Sequence, residues 1–231
     1  MEFKHTDPEL DAIFTQFADI EVPETKGASV NPEDRYLAIL AALLGSQSKE
    51  LFKPVLKEAL EKKAVSAVEV REVVYQAVDY LGMGRVYPFV LAMNEVFESL
   101  NIKLPLENQA TVTPENRLEK GYETQAVIFG PQMREAWKAS DINRWLADNC
   151  FGDFYTRTGL ELAKREMVTF CYLMAQGGCE PQMVAHAKGN FAMGNTADFL
   201  IRITEQCVPY VGYPRVLNGI AAIKKAAEPQ K

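Results

Sequence analysis

Cys179, Gln182 and His186 stand in one short segment at spacings suited to chemistry. Cys179 and His186 are seven residues apart, about two helical turns, which sets them on nearly one helix face. Gln182 lies four residues before His186 and shares that face. Gly177-Gly178 precedes Cys179 and Glu180-Pro181 follows it, a pattern that marks a helix start. A thiol near a helix N-terminus can have a lowered pKa and so a larger thiolate fraction. An imidazole serves as acid or base near neutral pH. Glu166 falls on the preceding helical segment, which must pack against this one as an antiparallel hairpin. Spacing leaves open whether it reaches His186. A lone cysteine is most often a small buried hydrophobe, and His186, beside Val184 and Ala185, could equally be a core histidine. It is the grouping of the three that reads as a reaction centre.

The grouping is set off by an internal repeat. Arg35 to Met93 aligns without a gap onto Arg165 to Ile223 at a constant offset of 130. Gln76, Val78, Tyr80, Gly82, Arg85 and Val86 recur as Gln206, Val208, Tyr210, Gly212, Arg215 and Val216. Such duplication governs the fold more strongly than local propensity does. Residues shared by both copies read as scaffold, and residues held by one copy read as chemistry. Glu166, Cys179 and His186 correspond to Tyr36, Lys49 and Leu56, so only the second copy keeps the candidate trio. Cys171 and Cys207 correspond to Ala41 and Ala77 and, with Cys150, look structural. Arg35 and Arg165, present in both copies, read first as scaffold or interface groups and second as ligands for an anionic substrate.

Apolar residues recur at helical spacing almost throughout, and no run alternates long enough for a strand. The fold class is therefore all-α. Each copy parses into four helices, near 33–45, 49–63, 67–79 and 84–99, then near 160–177, 180–193, 197–208 and 213–226. Asn31-Pro32 and Thr113-Pro114 read as N-caps followed by proline at the first helical position. Ser66 and Thr196 sit where caps should open the third helix of each copy. Tyr80 to Gly82 and Tyr210 to Gly212 break the chain before each fourth helix. A lead helix near 7–19 and a loop over 21–30 come first. The organisation expected is 1–100 for the lead and first copy (about 33–99), 101–157 for a helical linker, and 158–231 for the second copy with the candidate site. Within the linker, the aromatic, glycine-punctuated run from Cys150 to Gly159 reads first as packing aromatics and second as a loop able to close over a pocket.

Copies of roughly 60 residues would each bury only about 60% of their unfolded surface, so the two are expected to share one core. With 48% apolar residues, core material is ample. The net charge of −6 is spread along the chain with no basic run, which argues against nucleic acid as a partner. The longest strongly apolar stretch, Tyr36 to Leu44, is too short to span a bilayer, so no membrane association is expected. The polar start of the chain and its four widely spaced cysteines point to the cytoplasm and to free thiols.

The second copy, from Arg165-Glu166 through Gly177-Gly178-Cys179-Glu180-Pro181-Gln182, His186 and Gly194-Asn195 to Tyr210-Val-Gly212-Tyr-Pro214-Arg215, resembles the carboxymuconolactone decarboxylase family. The first copy looks like a weaker version, and the whole is similar to tandem-repeat members. The resemblance implies antiparallel helical hairpins in the wider alkylhydroperoxidase D-like fold. It also implies a homo-oligomer, a trimer of tandem-repeat chains or a dimer, and a small-molecule substrate handled without metal or organic cofactor. Two chemistries follow from it. One is a lyase acting on a small carboxylated lactone, with His186 as acid/base, Glu166 tuning it, and Arg165, Arg157 and Gln182 as substrate contacts. The other is a thiol peroxidase with Cys179 as nucleophile. In the latter the family's second motif cysteine is here Gln182, so the usual disulfide partner is missing. A non-catalytic helical oligomer is the third reading.

Overall fold

The chain is organised around two helices that are buried on every side. The computed structural model describes residues 2–24 and 30–229. In it, α1 (Pro8–Thr15) runs into a π-helical turn, Gln16–Glu21, and is followed by α2 (Pro32–Gly45), α3 (Lys49–Glu61), α4 (Ala67–Leu81) and α5 (Met83–Ser99). Every residue of α2 from Tyr36 onward is buried. A helix apolar all round must lie in the interior, because no face of it suits water. Its neighbour is α9 (Leu162–Gln176), buried without a break from Arg165 to Ala175. The two pass so closely at Gly45 that a Cβ there would lie 2.6 Å from the Tyr172 carbonyl oxygen.

Between them in sequence come α6 (Arg117–Phe129), the short α7 (Met133–Ala136) and α8 (Asp141–Trp145), then a π-helix, Leu146–Tyr155. After α9 come α10 (Glu180–Ala192), α11 (Ala197–Gln206), α12 (Val208–Val211) and α13 (Tyr213–Ala227). No strand occurs among the described residues, and none of their helices is long and apolar enough to cross a membrane. Three of the four expected caps are present. Ser66 and Glu69 form a reciprocal capping box on α4, Thr196 accepts from the Phe199 amide, and Asn31 accepts from the Asp34 amide at 2.8 Å. Gly82 and Gly212 both have φ of +80°, the left-handed region glycine tolerates, and each separates one helix from the next.

Three expectations are corrected. The helix expected over 197–208 divides at Cys207, because Pro209 supplies no amide to continue the ladder. Thr113 to Asn116 forms a turn, with Asn116 Oδ1 accepting from the Thr113 amide, so α6 starts at Arg117. The run from Cys150 onward is helical as far as Tyr155 rather than a loop. Its glycine serves a helix crossing: a Cβ on Gly152 would lie 2.3 Å from the Arg117 carbonyl oxygen, and one on Gly121 would lie 1.8 Å from that of Ala147. The part of the expected 21–30 loop at residues 25–29 lies outside the described residues.

The two halves of the chain exchange polar contacts across one continuous core. Arg35 Nε donates to Gln206 Oε1 at 3.1 Å, and Arg165 donates to Gln76 Oε1 at 2.9 Å. Each arginine thus bonds the glutamine 130 residues displaced from its own half's copy.

Candidate active site

Helix α9 carries Glu166 with no exposed surface, and α10 presents His186 against it. His186 Nδ1 lies 2.9 Å from Glu166 Oε2. The side chain of His186 keeps 11% exposure, and its other ring nitrogen has no hydrogen bond among the described residues. A carboxylate beside Nδ1 selects the Nδ1–H form of a neutral ring and leaves Nε2 free to exchange a proton. The rings of Tyr80 and Phe129 meet the imidazole edge-on, with centroids 5.4 and 5.5 Å away.

The second carboxylate oxygen is held separately. Tyr155, the last residue of the π-helix, donates to Glu166 Oε1 at 3.0 Å. Its oxygen also lies 2.7 Å from Tyr80 Oη and 2.8 Å from Thr169 Oγ1. Since Tyr155 has one proton and gives it to Glu166, Tyr80 and Thr169 must donate to it. Gln76 Nε2 then donates to Thr169 Oγ1 at 2.8 Å and to the Arg165 carbonyl at 3.0 Å. Burial pushes both phenols well above their ordinary pKa, so they remain protonated donors. Asn190 fixes the backbone beneath, donating to the carbonyls of Glu166 and His186.

Four of these residues escaped the sequence reading. Gln76 and Tyr80 recur in both halves and were therefore expected to be scaffold, yet they serve the site of the second half. Tyr155 fell in the expected loop. Thr169 sits among apolar neighbours on α9, with nothing in its spacing to mark it.

Other expected site residues lie apart. Cys179 caps the start of α10, with its thiol 3.2 Å from the Leu173 carbonyl and 3.8 Å from Gln176 Nε2. Gln176 also reaches the Tyr80 carbonyl at 3.4 Å, so the thiol meets the His186 surroundings only through an intermediary. Burial raises the Cys179 pKa, with Gln176 and Arg215 only partly offsetting it, in contrast to the lowering expected of a helix start. Gln182 is exposed and turned away from the buried face that carries His186.

Of the two arginines expected as substrate contacts, Arg165 is engaged in the interior and Arg157 is paired there while keeping an edge on the surface. Glu72, fully buried on α4, receives Arg157 at 2.8 and 3.0 Å and Arg165 at 3.2 Å. Arg165 also donates to the carbonyls of Arg157 and Thr158. Desolvation lowers the Arg165 pKa, with Glu72 opposing it. The Arg165 guanidinium has no exposed surface, and its two terminal nitrogens are committed to these partners, while its buried Nε is left without one.

An open groove of about 780 Å³ runs past the site between α6 and the start of α9. It is lined by Val127, Tyr155, Arg157, Leu162 and Met193 among others, and meets the carboxylate–imidazole pair through Tyr155. In the first half the equivalent positions carry no such pair. Tyr36 stands where Glu166 does and donates to Glu58 at 3.0 Å, and Leu56 replaces the imidazole with a buried alkyl group.

An all-helical domain with a buried carboxylate–imidazole pair is the class that fold and site define. Residues 140–225 match the model of the carboxymuconolactone decarboxylase family. The matched stretch contains Tyr155, Glu166, Thr169, Cys179 and His186, but not Gln76 or Tyr80. Among curated proteins none matches the chain.

Proposed function

We propose that this protein is a cofactor-free lyase that removes CO2 from a small carboxylated lactone or a related acid. The observation that carries the reading is the 2.9 Å contact between Glu166 and His186 Nδ1, made by a ring whose other nitrogen has no partner among the described residues. Loss of CO2 from a carbon next to a carbonyl-type group breaks one carbon–carbon bond. Its electron pair passes to the carbonyl oxygen as an enolate, and the carbon then takes one proton. Protonated His186 supplies that proton from Nε2, while Glu166 stabilises the imidazolium and fixes the ring plane. Tyr155 holds the carboxylate so that Oε2 faces the ring.

In this reading Arg157 and Arg165 anchor the site through Glu72 instead of clamping the substrate. A thiol peroxidase cycle has less support. The Cys179 thiol is raised by burial, position 182 holds an exposed glutamine, and Cys150, Cys171 and Cys207 are buried. Self-association belongs to the same proposal. Met83, Tyr87 and Leu91 on α5 and Tyr213 and Leu217 on α13 are exposed apolar residues spaced four apart, a pattern a second copy would cover.

The test is to incubate the protein with γ-carboxymuconolactone and follow CO2 release. Turnover that falls at least a hundredfold in His186→Ala supports the reading. An unchanged rate in that variant, or no turnover by the wild type on this and related carboxylated lactones, contradicts it.

A further inference from the structure

The first half of the chain holds a small pocket that shares no lining residue with the groove beside Tyr155. It measures about 250 Å³ and lies between α4, α5 and the segment from Leu104 to Leu106. Val90, Phe97, Leu104 and Leu106 are among its apolar walls, and Arg71, Tyr75 and Asn94 are its polar groups. An apolar hollow with a few converging polar groups is the usual form of a small-molecule site, and a volume under ~300 Å³ limits the occupant to a small molecule.

The polar groups have hydrogen-bonding capacity to spare. Arg71, only 6% exposed, gives Nη2 to the Glu107 carbonyl at 2.7 Å and to Glu72 Oε1 at 3.4 Å. The first of these bonds ties the chain just past Leu106 to α4. Arg71 Nε is buried with no partner, and Nη1 has none among the described residues. The Tyr75 hydroxyl and the Asn94 amide also make no hydrogen bond among the described residues. The Tyr75 ring lies against two guanidiniums, 5.6 Å from that of Arg71 and 5.3 Å from that of Arg157.

Charge favours an anion here. Among the described residues, Glu72 is the one carboxylate paired with Arg71, Arg157 and Arg165, so three guanidiniums face a single negative charge. A guanidinium withdrawn from water with donors unused is costly, and an anion entering the pocket offsets that cost. The arrangement is confined to the first half, because Arg71 and Tyr75 correspond to Ile201 and Glu205 in the second.

We propose that this pocket binds a small monocarboxylate with an apolar body, such as a single-ring or short branched acid. The carboxylate accepts from Arg71 Nη1, with the Asn94 amide and the Tyr75 hydroxyl as further donors. The hydrocarbon part lies against Phe97 and the segment from Leu104 to Leu106. Binding is non-covalent and does not depend on the acid–base role of His186.

The probe is benzoate, followed by isothermal titration calorimetry and by NMR of the arginine Nε–H signals. The wild type should bind it with a Kd of about 1 mM or tighter, and the Arg71 Nε–H signal should shift. Benzyl alcohol lacks the charge and inorganic phosphate lacks the apolar body, so each should bind at least about tenfold more weakly. Arg71→Met keeps the bulk and removes the charge, and Asn94→Asp adds a negative charge to the pocket lining. Each should weaken benzoate binding at least about tenfold, and Asn94→Asp keeps the test decisive if Arg71→Met fails to fold. His186→Ala should bind benzoate as the wild type does. Binding that is lost in His186→Ala and survives Asn94→Asp overturns the proposal, because the ligand then sits in the other site. Benzyl alcohol binding as tightly as benzoate overturns it too, as does the absence of both heat and an Arg71 shift at about 10 mM benzoate.

Discussion

Gly189 makes room for the Glu166 carboxylate. A Cβ built on Gly189 would lie 2.2 Å from Glu166 Oε2, the oxygen that meets His186, and 3.0 Å from Ile128 Cγ2. Gly189 sits inside α10 one turn beyond His186, where alanine would favour the helix by about 1 kcal/mol. The collision outweighs that gain, because overpacking a closed site costs about 1–3 kcal/mol. Gly189→Ala should therefore fold with normal far-UV circular dichroism and lose the Glu166–His186 contact. Decarboxylation should drop at least tenfold, and wild-type turnover in this variant would contradict the packing argument.

Removing the Tyr155 hydroxyl should have two effects. Tyr155→Phe leaves Glu166 Oε1 without its donor and deprives Tyr80 and Thr169 of a shared acceptor. Buried polar groups left unpaired cost about 1–3 kcal/mol. Denaturant titration should show a loss of that size with an unchanged slope. A variant as stable as wild type would mean that these hydroxyls find other partners.

Glu72 is the more sensitive structural position. It is fully buried and faces Arg157, Arg165 and Arg71, the last at 3.4 Å. Breaking a buried ion pair by deleting one partner costs about 3–5 kcal/mol, because the other charge stays behind. Glu72→Gln should be destabilised by about that amount in urea unfolding. A change within experimental error would show that Arg165 is not confined as described.

The sequence carried much of this architecture and less of the site. Helix positions followed from apolar spacing and from caps such as Ser66 and Thr196, which act locally and are visible in a few residues. Glu166 and His186 were identifiable because their counterparts, Tyr36 and Leu56, cannot do the same chemistry. Tyr80 and Gln76 were hidden by the same comparison. They reach across to the other half, and sequence spacing does not show which side of an interface a shared residue serves. The π-helix was also illegible, because its glycine reads locally as a turn and only the crossing with α6 shows why a side chain is excluded there. The pairing of both arginines with Glu72 was not legible, because Glu72 is remote from them in sequence.

Asp79 predicts an unusual dependence of stability on pH. Its folded-state pKa, about 7, lies above the ordinary 3.8 because burial penalises the anion. A raised value means that the group's contribution is complete below 3.8, declines as pH rises, and is gone above about 7. Over that range the wild type should lose stability relative to Asp79→Asn, by up to about 4 kcal/mol at 1.36 kcal/mol per pH unit. Thermal melts at about pH 5 and pH 8 check this. At about 2–4 °C per kcal/mol, the asparagine variant should melt several degrees higher than wild type at the upper pH. Parallel melting curves across the range would contradict the assignment.

The pairing of Glu166 with His186 is tested most directly by nitrogen NMR of the imidazole rings. The chain contains two histidines, and the exposed His5 provides the internal reference. His186 should show a slowly exchanging Nδ1 proton held in a hydrogen bond, and that signal should disappear in Glu166→Ala. A His186 spectrum that matches His5 as a freely exchanging mixture of tautomers, unchanged by that substitution, would contradict the acid–base pair.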